Sequence, residues 1–131
     1  MPRGQGWTAL TPAEQSWAAP SWRPDEQVRQ IVELPLQTQL TETRGHLWRY
    51  PAGAKGRAHH HTHQEEVFVV LQGTVTLELG EERELVDLPP QSVVVLSPGT
   101  RVHVSNRSDA DVVVFIYGAP PVAGDGVIVE G

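Results

Sequence analysis

Four histidines stand at positions 59, 60, 61 and 63. Glu65 and Glu66 follow them, then the apolar run Val67-Phe68-Val69-Val70-Leu71 and Gly73. Imidazole nitrogen together with carboxylate oxygen is the donor set of a borderline divalent metal. On a strand, alternate side chains share a face, so His59 and His61 point to one side and His60 to the other. Glu66, opening the next strand, can meet the same ion. A solvated histidine-rich loop would have this composition too, but it would not set a glutamate and a glycine at fixed distances behind the pair. His46 lies upstream of the cluster and His103 far downstream.

Those distances carry a resemblance. Gly53, five residues, His59, one residue, His61, four residues, Glu66, six residues and Gly73 reproduce the first motif of the cupin superfamily without a gap. The second motif, a Pro-Gly turn followed by a histidine, is answered by Pro98, Gly99 and His103. Three departures accompany it. Gln91 and Ser92 stand near the place of the opening glycine, and Gly99 follows Pro98 directly where one residue usually intervenes. Asn106 comes three positions after His103, where four is usual. The stretch 47–117 therefore resembles a small single cupin domain of the metal-binding type. The resemblance implies an antiparallel jelly-roll barrel and a homodimer. It also implies one divalent ion per chain on His59, His61, Glu66 and His103. Iron, manganese, nickel, copper and zinc all suit these ligands.

The surrounding chain has the length to build that barrel. At 131 residues it is expected to be one domain with a core that needs no staples. Cysteine is absent, which removes disulfides and thiolate ligands and leaves nitrogen and oxygen for any metal. The net charge is −6 and the basic residues form no stripe, against a nucleic-acid partner. No apolar run approaches the roughly 20 residues of a membrane span, and the N-terminus lacks a secretory core. A cytoplasmic protein is expected.

Residues 1–27 read as an arm and 28–131 as the barrel. The arm holds Trp7, Trp17 and Trp22, and large aromatics of this kind find an apolar surface, on the barrel or on a second subunit. Thr11-Pro12-Ala13-Glu14 has the order of a cap, a first-turn proline and a capping-box glutamate, so one helical turn is expected there. From Val28 the pattern is all-β. Apolar or alternating runs occur at Val28–Leu34, His46–Tyr50, Val67–Leu71, Val75–Leu79, Val93–Leu96 and Val112–Tyr117, with turn residues between them. Val127–Val129 can add a last strand, within the chain or exchanged between subunits.

Alternation from Glu66 brings Phe68 and Val70 to its side, and Arg101 and Ser105 share the face of His103. These four are the candidate substrate-contacting residues. His63, Tyr50 and Tyr117 are candidates for moving a proton. Gly53 and Gly73 are expected to serve turns. Four protein ligands on a six-coordinate ion leave two positions open. The favoured expectation is a dioxygenase-like oxidoreductase on a small organic substrate. The alternatives are an isomerase, lyase or cyclase using the ion as Lewis acid, and a small-ligand-binding module without catalysis.

Overall fold

The computed structural model describes residues 3–129. Two-residue strands β1 (Arg3–Gly4) and β2 (Trp7–Thr8) pair as a small hairpin in the arm. Ten further strands form two five-stranded sheets. The first runs β3 (Gln30–Glu33), β4 (Arg44–Tyr50), β11 (Val112–Ala119), β6 (Glu65–Gln72) and β9 (Val93–Leu96). The second runs β12 (Gly126–Ile128), β5 (His59–His61), β10 (Val102–Ser105), β7 (Val75–Leu79) and β8 (Glu84–Leu88). The strand pairs of both sheets are antiparallel. The sheets pack as a jelly roll, the all-β architecture expected from the sequence.

Alternation decides which residues enter. On β6, Glu66, Phe68 and Val70 are buried between neighbours that are not. On β11 the same holds for Val112, Val114, Ile116 and Gly118. Val70, Val75, Leu77, Val112 and Val114 fill one half of the barrel with almost no exposure. Each such side chain stabilises the fold by about 1.5–3 kcal/mol, and Leu77→Ala is expected to cost about 2–5 kcal/mol. Gly73 turns the chain from β6 into β7 at φ +74°. A Cβ there would stand 2.6 Å from the Asp111 carbonyl oxygen, so no other residue fits.

The capping box forms as read: the Glu14 carboxylate accepts from the Thr11 hydroxyl (2.6 Å) and amide, closing a short 3-10 turn at Pro12–Glu14. The arm lies on its own barrel. Ala18 bridges Ile31 of β3, the Gln37 side chain bonds the Ser16 backbone in both directions, and Arg49 lies 4.0 Å above the Trp17 ring. The first barrel strand begins later than the apolar pattern indicates. The amides of Val28 and Arg29 donate to the Glu26 carboxylate instead of to a ladder. The strand also stops sooner, because Leu34–Gln37 forms a helical turn, α1. The C-terminal strand pairs with β5 of the same chain, through Gly126↔His61, Val127↔His60 and Ile128↔His59. No helix among the described residues is long and apolar enough to cross a membrane.

Candidate metal centre

The second half of the barrel is hollow. One wall comes from β5, β10 and β12, the other from β4, β6 and β11, and between them lies a cavity of about 530 Å³. At its edge one ligand atom each from His59, His61 and Glu66 lie within 4.8 Å of one another. β5 turns both histidines inward and leaves His60 on the outer face; Glu66 reaches them from the opposite sheet. His61 Nε2 stands 3.3 Å from Glu66 Oε2. Two adjacent ligands of one ion at about 2.1 Å stand about 3–3.5 Å apart, so the pair already has the spacing a first-row metal requires.

The hydrogen bonds around the histidines orient them for that task. His59 Nδ1 lies 2.9 Å from the Arg57 carbonyl oxygen. A carbonyl only accepts, so Nδ1 carries the proton and Nε2 keeps its lone pair for an ion. Burial pushes the pKa of His59 down, which favours this neutral, ligating form. His61 is set between two carboxylates: Glu66 at Nε2, and Asp125 3.6 Å from Nδ1. Asp125 carries no signal in the sequence that places it here. Its side chain is 1 % exposed and accepts from the amides of His63 and Gln64 and from His63 Nδ1 at 2.8 Å. Desolvation pushes the Asp125 carboxyl up, but these hydrogen bonds outweigh it and hold the group at about 2, a permanent anion behind His61.

His103 does not join the group. Its Nε2 lies 3.0 Å from the Gly56 carbonyl oxygen, so that nitrogen holds a proton and offers no lone pair. The cause is the register of β10. Val102 pairs directly with His59, and residues opposite one another in an antiparallel pair share a face. Val102 and Val104 therefore point into the core, and Arg101, His103 and Ser105 alternate to the other face of β10, where Arg101 and Ser105 are themselves buried. There Arg101 Nη1 bonds Glu78 Oε1 at 2.7 Å, and Ser105 pairs in register with Thr76. One sequence signal pointed the same way: counting four positions back from Asn106 reaches Val102. Its amide group ties β10 to the Tyr50 and Ala110 carbonyl oxygens.

Of the other expected site residues, Phe68 and Tyr50 line the cavity. Val70 lies deeper, in the packed core. Tyr117 is on the outer face of β11 against Phe115, ring centroids 5.3 Å apart, and does not reach the cavity. The His63 side chain is 65 % exposed and held by Asp125, so it braces the site from the rim. Tyr50 accepts from Arg29 Nη1 at 3.3 Å. Burial raises its pKa, so the phenol keeps its proton at neutral pH and acts as a donor. His46, assigned no role from spacing, proves to be a wall residue. Burial first, and Arg44 next, lower its pKa to about 4, and its buried Nδ1 has no hydrogen-bond partner. Trp22 reaches the same wall from the arm, its ring centroid 5.7 Å from His46 and 6.3 Å from Trp48.

No curated protein matches the chain. Solved structures do, across most of its length. The polyketide cyclase RemF from Streptomyces resistomycificus superposes with a TM-score of 0.81 at 11% identity, covering 95% of this chain and 87% of that one. A sugar phosphate isomerase of the cupin superfamily from Silicibacter pomeroyi gives 0.72 at 20% identity, covering 85% and 74%. KdgF from Halomonas sp. gives 0.69 at 19% identity, covering 88% and 96%. At these identities the likeness is one of fold. The family described as "Cupin domain" matches residues 46–117, from within β4 to the end of the apolar run in β11. Barrel, motif and match agree over more than half of the sequence: the chain belongs to the cupin family.

Proposed function

We propose that this cupin is a metal-dependent enzyme for a small organic substrate, with His59, His61 and Glu66 as its three protein ligands and the adjoining cavity as its substrate site. The carrying observation is that the ligand group opens on a cavity within the usual size of small-molecule sites, about 300–1,000 Å³. A bound ion there supplies Lewis acidity, and a redox-active one also electron transfer. Trp48 and Phe68 give the substrate an apolar bed. Tyr50 donates a hydrogen bond. His46 lines the same wall as a neutral imidazole, held so by burial and by Arg44.

This set supports proton-transfer chemistry of the isomerase, lyase or cyclase kind. The names of the structural neighbours, an isomerase and a cyclase among them, point the same way. A second reading rests on the ligand set itself. Two histidines and one carboxylate with open positions also suit oxygen-dependent iron chemistry of the dioxygenase type. The test begins with the metal content of untagged protein purified without an immobilised-metal column. Near-stoichiometric zinc with substrate proton exchange in deuterated buffer supports the first reading; iron with oxygen uptake supports the second. No metal after reconstitution with each ion sinks both and leaves ligand binding without catalysis.

A homodimer is part of the same proposal. Leu71, Val93 and Val95 expose apolar surface on the outer side of β6 and β9, an edge that a second copy would cover. Val95→Lys is expected to yield a monomer by light scattering; an unchanged mass would overturn this assignment of the interface.

A further inference from the structure

We propose that the substrate is an organic anion whose oxyanion group is received by Arg44, with Arg23 and Arg57 at the same cavity. This rests on the reading of the cavity as a substrate site and adds the chemical class it selects. The chain is acidic, at −6, yet four of its nine arginines line this one cavity. Arg29 is spoken for: its Nη2 and Nε bond Glu26, its Nη1 bonds Tyr50, and its guanidinium lies 4.8 Å above Trp48. Arg23, Arg44 and Arg57 have no ion pair with a carboxylate among the described residues. The two carboxylates that line the cavity are engaged elsewhere, Glu66 with His61 and Asp125 with His63 and Gln64.

Position adds to charge. Arg44 is paired across β11 with Gly118, and Gly118 with Glu66, so the three lie in one row across the sheet. The backbones of Arg44 and Glu66 are two strand spacings apart, about 10 Å, and the Gln64 side chain packs over Gly118 between them. The Arg44 guanidinium lies 5.9 Å from the Trp22 ring centroid, an apolar surface on one side of it. A guanidinium presents a planar fork that fits a carboxylate or a phosphate through two parallel hydrogen bonds. A molecule with a metal-seeking oxygen at one end and an oxyanion at the other matches this arrangement.

The test is calorimetric and independent of turnover. The protein is titrated with 4-hydroxyphenylacetate, its neutral amide and 4-hydroxybenzylphosphonate, both as the zinc-reconstituted form and after chelation. The acid or the phosphonate is expected to bind at least roughly tenfold more tightly than the amide in both forms. The better of the two identifies the carboxylate or the phosphate as the source. Arg44→Gln is expected to remove most of that preference with an unchanged melting temperature, and Arg44→Lys to restore part of it. Equal binding of acid and amide, a preference confined to the zinc form, or a preference that survives Arg44→Gln combined with R23Q and R57Q would overturn the proposal. Metal content, measured on the same samples, reports separately on the metal reading: a protein that takes up no metal but still prefers the anion leaves this inference standing.

Discussion

β5 and β10 lie side by side and each carries histidine, yet only β5 delivers it to the cavity. The difference is a single residue of register. With Val102 opposite His59, valines occupy both inward places of β10, and His103 is turned to the far side with Arg101 and Ser105. Burying two valines stabilises the barrel by about 1.5–3 kcal/mol each. Turning β10 by one residue would take both valines out of the core. Apolar neighbours, and not the histidine, fix which way a strand faces. A strand dares to point histidines inward only where, as in β5, no apolar residue competes for the same face.

The contrast can be broken from either side. His61→Ala or Glu66→Gln is expected to weaken metal binding by roughly a hundredfold or more, since one of three ligands is lost. His103→Ala should leave it unchanged. Chelator competition on the three variants decides; a weakened His103→Ala would return His103 to the ligand set. Asp125→Ala is next. Losing the anion behind His61 and the anchor of the His63 and Gln64 amides is expected to cost about 10–100-fold in metal affinity. Val102→His puts an imidazole opposite His59 and is expected to tighten metal binding about tenfold. The same variant should lose about 1–3 kcal/mol of metal-free stability by burying an unpaired polar ring.

His46 sharpens the comparison further, as a histidine held inside without ligand duty. Its folded pKa is about 4, against 6.5 for an unperturbed ring. Between those values the unfolded chain binds a proton that the folded one refuses. Stability therefore falls as pH drops from 6.5 to 4, by at most about 3 kcal/mol, and is fully present above 6.5. Denaturant midpoints of wild type and His46→Phe across that window should diverge; parallel curves would falsify the assignment. The smallest effect belongs to the Arg101 face of β10. Glu78→Gln removes the ion pair with Arg101 and should leave the denaturant midpoint close to that of wild type.

The legible part of the site was the part encoded locally. His59, His61, Glu66 and Gly73 are set by short fixed intervals, and a three-residue strand with a turn on either side converts intervals directly into geometry. The all-β pattern was legible for the same reason, because alternation is a property of each run by itself. Asp125, Trp22 and Arg44 were not. They reach the cavity from the C-terminal segment, the arm and a neighbouring strand, and nothing near them in sequence records what they face. His103 follows the Pro98–Gly99 turn as the second motif has it, but the valines on either side of it take the core face of β10, and four positions back from Asn106 stands Val102.

The carboxylate that organises the site arrives late. His63 and Asp125 are 62 residues apart, and β5 is held by one residue pair to β10 but by three to β12. On the ribosome the histidines of β5 emerge well before the segment that fixes them. Until that segment docks they are loose donors, and loose donors take first-row ions in the plain order of intrinsic affinity, copper and zinc foremost. Choice by geometry begins only when the tail is in place. A chain ended before Asp125 should therefore bind copper indiscriminately, and whichever ion a cell supplies during synthesis has the first opportunity to occupy the barrel.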